Sequence, residues 1–402
     1  VGHAAKRRGV MVGPLNGIRV VEFAGVGPTP FTAMLLSDLG AEVIRVDRLP
    51  PTNGSAPDDL GRMTADALGR GRKSIAVDLK SSDGLGTVLT LLNGADGLVE
   101  GFRPGVMERL GLGPEACHTQ NPRLVYGRMT GWGQDGEMSQ RAGHDLNYIA
   151  LAGVLDHIGE PDRPPTVPLN LIGDFGGGGL LLAFGMVSAM LEAKTSGKGQ
   201  VVDASMAEGS ALLMTMMYEL SGRGLWNHNR AANMNDGGAH FYSVYATADD
   251  KHVAVAAMEP KFYADLLDCL GLDARALPDQ WDREGWPALR SVFADVFRTR
   301  TRDEWSALLE GTDSCVTPVL SMRESPHHPH NISRNAFVEV DGITQPAPAP
   351  RFSRTSAQVQ RGLAAPGQHT VELLRNAGFG DEKIETLLKN GTLAISDEGA
   401  RP

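Results

Sequence analysis

Between residues 17 and 131 the chain repeats one pattern: a short run rich in Val, Ile or Leu, then a helix candidate, then another such run. GIRVVEFAG precedes PFTAMLLSDLGA, EVIRVDR follows, and SIAVDLK, DGLVEGF and RLVYGRMTG come at further intervals. Apolar strands separated by helices imply a mostly parallel sheet covered on both faces, with ligands bound beyond the carboxyl ends of its strands. The expected class is α/β, with a Rossmann-like large domain. Helices predicted over about 144–153 and 175–193 close this region.

The 402 residues allow two or three domains. Residues 1–12 read as a flexible leader, because Lys6, Arg7 and Arg8 precede a run too short and too broken by Gly and Pro for a signal core. Residues 13–204 form the large domain, and 205–242, a Met-rich helical segment and then NMNDGGAHFY, read as a linker. A smaller α+β domain spans 243–322, with β-like YSVYAT and HVAVAAM around helical PKFYADLLDCLG. Residues 323–350 are a return linker. Residues 351–402 carry two short helices, TVELLRNAG and DEKIETLLKNG, each ending at Gly, and pack back on the large domain.

Composition narrows the function classes. The net charge of −10 argues against a general affinity for nucleic acid or an anionic membrane. The longest apolar run, Leu180 to Leu191, is shorter than the roughly 18 residues a bilayer demands, so no membrane segment is expected. Cys117, Cys269 and Cys315 are odd in number and widely spaced, which fits a reducing, cytoplasmic setting and gives no metal-ligand spacing. The loop with His327, His328 and His330 also lacks partners at metal spacing.

Several positions carry chemistry, each with a plainer alternative. Gly25-Val26-Gly27-Pro28-Thr29-Pro30 follows the first strand, with Asp47 about 20 residues on, but Pro30 stands where a dinucleotide fingerprint needs Gly. Arg45, Arg48, Arg70, Arg72, Lys73, Lys80, Arg103 and Arg109 cluster near strand ends, as a phosphate site or as a solvated basic edge. His144, in GHDLNYIALAG, stands at a helix start, where the dipole disfavours imidazolium and suits the ring to accept a proton; a satisfied polar histidine is the alternative. The amides of that turn, including Asp145, would face a negative charge in front of them. Asp174 precedes the long apolar helix, as an N-cap or as a carboxylate facing a ligand. Gly176 to Gly179 are costly at a helix start, which implies that something, such as a ligand, approaches closely. Glu259 precedes Pro260 at another helix start, where capping is the default reading. Met186, Met190, Met206, Met214, Met216 and Met217 are core packing or an adaptable surface for acyl chains.

These segments, from PLNGIRVVEFAG through EGFRPGVMERLGLGP, RMTGWGQDG, AGHDLNYIALAG, PLNLIGDFGGGG, SGKGQVVDASM and AAMEPKFY to PAPRFSRT and the tail, resemble the family III CoA-transferase superfamily. Within it they resemble the racemase branch that acts on α-methylacyl-CoA. The resemblance implies a CoA-binding large domain, a small domain, and an interlocked homodimer with active sites between the large domain of one chain and the small domain of the other. It implies an isomerase of lipid and fatty acid metabolism that inverts the α-carbon of 2-methylacyl-CoA thioesters, with CoA as part of the substrate and no separate cofactor or metal. His144 and Asp174 take the positions of the paired bases, Glu259 that of the histidine's support, and Asp145 joins them through its amide. Arg48 and Arg109 fall where CoA phosphates are contacted, with Val77, Lys80, Arg103, Gly143 and Tyr148 placed nearby. Family members that transfer CoA between acids keep the aspartate but generally lack the GHDLNY histidine. A CoA-transferase using Asp174 as nucleophile and a non-catalytic acyl-CoA binder are the alternatives, with a nicotinamide dehydrogenase well behind.

Overall fold

The computed structural model describes residues 13–50 and 67–396, so the leader assigned to 1–12 lies outside the described residues. The chain divides into two units. The first comprises Val1–Ala152, Leu169–Leu213 and Ser333–Pro402; the second comprises Gly153–Pro168 and Met214–Ile332.

The first unit is built on β1 (Arg19–Phe23), β2 (Glu42–Asp47), β3 (Arg72–Val77), β4 (Gly97–Glu100), β5 (Val125–Thr130) and β6 (Val201–Ser205). All six run parallel, and a short tail strand, β12 (Leu393–Ala394), adds antiparallel to β3 to give the order β12-β3-β2-β1-β4-β5-β6. The two-residue side-chain period sorts each strand between two cores. Val21, Phe23, Ile44, Val46, Ile75, Val77 and Leu98 face one, under α2 (Ser82–Asn93), α3 (Val106–Arg109), α4 (Pro114–Gln120), α12 (Thr370–Asn376) and α13 (Asp381–Lys389). Val20, Val43, Val99, Val125 and Met129 face the other, under α1 (Pro28–Asp38) and α6 (Leu171–Ser196). Burial on both faces is why these strands read as near-continuous apolar runs.

Helix α6 departs from expectation at its start. It begins at Leu171, and its first ten residues, Leu171–Leu180, are wound as a π-helix. Its 26 residues are long and apolar enough to match a bilayer span, which corrects the shorter run anticipated. Leu182, Met186, Ala189, Met190 and Ala193 nevertheless pack into the second core, which is the behaviour of a core helix.

The helical segment expected within residues 205–242 is present, as two helices divided between the units. These are α7 (Met206–Leu213), in the first unit, and α8 (Thr215–Gly222), in the second. Residues 153–168 also join the second unit, where the Arg230 guanidinium binds the carbonyls of Asp156, Glu160 and Arg163. That unit has a three-stranded antiparallel sheet of β7 (Tyr242–Ala246), β8 (His252–Ala256) and β9 (Val316–Pro318). Helices α9 (Pro260–Leu270), α10 (Trp286–Phe297) and α11 (Arg302–Leu309) complete it around an aromatic core. The return stretch is likewise structured, since β10 (Phe337–Val340) and β11 (Ile343–Pro346) pair as a hairpin.

Candidate functional site

Strands β1, β4 and β5 are neighbours, and the loops leaving their carboxyl ends enclose a cavity of about 280 Å³. Gly27 comes from the loop after β1, Arg103 from the loop after β4, and Trp132 from the loop after β5. The segment before α5 (Asp145–Leu151) contributes Gly143 and His144, α5 contributes Tyr148, and the first turn of α6 contributes Asp174. A cleft at adjacent strand ends is where a parallel sheet leaves loops free to bind.

His144 is the residue before α5, in extended conformation (φ −134°, ψ 173°), and its side chain is exposed. Its main-chain N–H donates to Asn147 Oδ1 at 3.0 Å. That amide is therefore occupied, which corrects the expectation that it could serve a developing oxyanion. The Asp145 N–H has no acceptor among the described residues. The Tyr148 hydroxyl donates to the Gly143 carbonyl, and its ring meets Trp132 edge-on with centroids 4.8 Å apart. Burial pushes the Tyr148 phenol up to about 12, so it remains a donor throughout the working pH range.

Asp174 lies inside α6 and is not an N-cap; Asn170 precedes the helix. Its Oδ2 accepts from Asn170 Nδ2 at 3.0 Å, and its main-chain N–H donates to Asp145 Oδ1 at 2.7 Å. Burial holds the carboxyl above the usual carboxylate range, opposed by the Asn170 hydrogen bond, reinforced by the Asp145 charge and opposed again by His144. Gly27 (φ +66°) lets the β1 loop approach: a Cβ there would sit 3.3 Å from Asp174 Oδ2.

The glycine run answers to helix packing. A Cβ on Gly177 would lie 2.5 Å from the Ser210 nitrogen of α7, and one on Gly179 would lie 2.8 Å from the Pro28 carbonyl of α1. The side chains are missing so that α7 and α1 can close on the π-turn, not to admit a ligand. Asn170 was not anticipated, although its place four residues before Asp174 is a readable signal.

The basic cluster separates into two groups. Arg45 pairs with Asp47 at 2.9 Å, Arg70 with Asp38 at 2.6 Å, Arg72 with Glu22 at 2.9 Å, and Lys73 with Glu42 and Glu372 at 3.0 and 2.6 Å. These cations are consumed within the fold. Arg48, Lys80, Arg103 and Arg109 are exposed and have no ion pair among the described residues. Val77 is 1% exposed and belongs to the core, so its main chain is what it can offer a ligand.

The loop carrying Arg103 is tied down by Glu100, whose carboxylate accepts the Phe102 N–H at 2.7 Å and pairs with Arg128 at 3.0 Å. Burial pushes Glu100 up to about 7, against the pull of Phe102 and Arg128. The folded chain thus holds this proton more tightly than the unfolded chain does. The associated stability is complete below about pH 4.5 and is lost as pH rises through about 7. Urea denaturation should show wild type losing stability relative to Glu100→Gln between about pH 5 and 8; parallel curves would refute the assignment.

Glu259 belongs to the second unit, directly before α9. It is exposed and its side chain does not cap the helix, so the capping expectation fails. The methionines are also divided. Met186 and Met190 are core, Met206 joins Met129 on the cavity wall, and Met214, Met216 and Met217 lie in the second unit.

The family model described as CoA-transferase family III matches residues 15–370. The chain is 48% identical over 374 residues to alpha-methylacyl-CoA racemase of Mus musculus, covering 92% of this chain and 95% of that protein. It is 45% identical to alpha-methylacyl-CoA racemase of Homo sapiens, covering 93% and 96% respectively. A crystal structure of a CAIB/BAIF family protein from Brucella suis shares the fold, with a TM-score of 0.77 over 91% of this chain and 100% of that one, at 24% identity.

Proposed function

The chain belongs to CoA-transferase family III, and from that membership we propose that it is a racemase inverting the α-carbon of 2-methyl-branched acyl-CoA thioesters. The observation that carries this reading is that His144 and Asp174 face one cavity, with Asp174 biased by burial toward holding a proton. Inversion requires a base on one face of the α-carbon and an acid on the other. One of the pair removes the α-hydrogen as a proton, and the electron pair it leaves moves onto the thioester oxygen as an enolate. The other then delivers a proton to the opposite face. The roles exchange with direction.

The Asp145 N–H is the proposed donor to the enolate oxygen. Arg48, Lys80, Arg103 and Arg109, without an ion pair among the described residues, are suited to the CoA phosphates, which anchor the substrate away from the reacting carbon. A second copy of the chain is proposed to bring Glu259 to His144 in an interlocked dimer. Leu180, Phe184 and Leu191, exposed along one side of α6, are apolar surface that such a copy would cover.

The test is incubation of one epimer of a 2-methylacyl-CoA in deuterium oxide. The expected result is loss of optical purity with deuterium appearing at the α-carbon. The family's name keeps CoA transfer as a second reading, in which the Asp174 carboxylate attacks the thioester, expels CoA thiolate and forms an acyl anhydride that a second acid then resolves. A requirement for that acid, with no deuterium uptake, would replace the racemase by a transferase. Tight binding with neither reaction would leave a non-catalytic binder.

A further inference from the structure

Two side chains outside the cavity lining, which the proposed proton transfers do not use, converge on Asp174. Asp145 is 5% exposed, and one carboxylate oxygen takes the Asp174 N–H at 2.7 Å while the other, Oδ2, is buried with no hydrogen-bond partner among the described residues. Asn170, one helical turn before Asp174, donates its amide to the carboxylate itself at 3.0 Å. A Cβ on Gly173 would fall 2.6 Å from Asp145 Oδ1, so the turn is shaped to let that carboxylate reach the main chain.

We infer that Asp145 and Asn170 are opposed positioning residues that together set how readily Asp174 takes and releases its proton. The inference rests on the reading of Asp174 as a proton-transferring residue and adds what governs it. A buried negative charge beside a carboxyl favours its protonated form, and an N–H donated to the carboxylate favours the ionised form. Burial favours the protonated form of Asp174 and the Asp145 charge adds to it, while the Asn170 donor favours the ionised form. Asp145 also sits immediately after His144, so one residue joins the two sides of the proposed reaction: its main chain begins the helix that presents the histidine, and its side chain grips the turn that presents the aspartate.

Other charged or titratable groups face the same space. His144 stands at the start of α5 and Tyr148 within it, while Arg103 and Arg141 lie on the cavity walls. Neither proposed substitution removes any of them, so each shift can be assigned to the residue replaced.

The experiment is a carbon NMR titration of the full chain labelled at the aspartate carboxyl carbon, with the Asp174 resonance assigned by its disappearance in Asp174→Asn. Asp145→Asn should move the Asp174 midpoint to lower pH, and Asn170→Ala should move it to higher pH, each by about half a unit or more. Shifts in the same direction, or none, overturn the inference, because a merely structural role gives no opposed pair. If Asp145→Asn does not fold, judged by circular dichroism, Asn170→Ala alone decides: an unmoved or lowered midpoint refutes. The acid limb of the inversion profile should follow the same two shifts. If the titration behaves as expected while wild type incorporates no deuterium, the racemase reading fails and the positioning roles stand.

Discussion

Asp174→Asn is expected to lower inversion of 2-methylacyl-CoA by about 10²–10⁴-fold while acyl-CoA binding changes by no more than a few-fold. Asparagine keeps the size of the side chain but can neither take nor deliver the proton. The Asp174 N–H bond to Asp145 is a main-chain contact that the substitution leaves in place. His144→Gln should cause a loss of similar order, because each base is required once in every turnover. Measuring deuterium uptake beside inversion separates the two: with one base removed, exchange on the face served by the other can persist although inversion does not. Equal losses of binding and inversion would instead return both residues to structural roles. A transferase would show the opposite selectivity, with Asp174→Asn inactive and His144→Gln still active.

Arg72→Met is expected to be the most damaging single change to stability, costing about 3–5 kcal/mol in urea denaturation. Arg72 is fully buried in β3, with its guanidinium on Glu22 Oε2 of β1 at 2.9 Å. The same guanidinium donates to the carbonyls of Arg70, Leu68 and Pro30. Glu22 is 0% exposed and its second oxygen has no hydrogen-bond partner among the described residues, so removing the arginine leaves a buried carboxylate whose charge those residues do not offset. Replacing both members, Glu22→Leu with Arg72→Met, should recover much of the loss, since an apolar pair avoids the unpaired charge. A cost below about 1 kcal/mol for the single change would mean that water reaches Glu22. The position matters for the site because Pro30 lies in α1, three residues beyond the Gly27 turn that faces Asp174.

The same arginine shows where linear reading stopped. By charge and position along the chain alone, Arg72 and Arg103 are equivalent members of one basic cluster, and only the resemblance sets Arg103 apart. In the fold, Arg72 is a buried cross-strand tie and Arg103 an open cation on a cavity wall, because residue 72 lies within a strand and residue 103 in the loop after one. Gly177 makes the same point for small residues. A missing side chain signals close approach, but whether the neighbour is a ligand or the backbone of α7 depends on a contact 33 residues away in the chain. In residues 205–242 the Met-rich composition predicts one helical segment and a linker; that the helix is broken in two, with one piece in each unit, depends on what each piece packs against.

The sequence by itself determined the parallel α/β core, since apolar runs separated by helices admit few other solutions, and it offered His144 and Asp174 as candidates, which line one cavity. Only the tertiary structure decided which cations remain available, why the glycines are there, and that Asp145 and Asn170 both reach Asp174. Strand and helix patterns are local, written in neighbouring residues. Ion pairing, close packing and the environment of a carboxyl depend on which distant segments meet, and that is settled when the sheet and its helices close on one another.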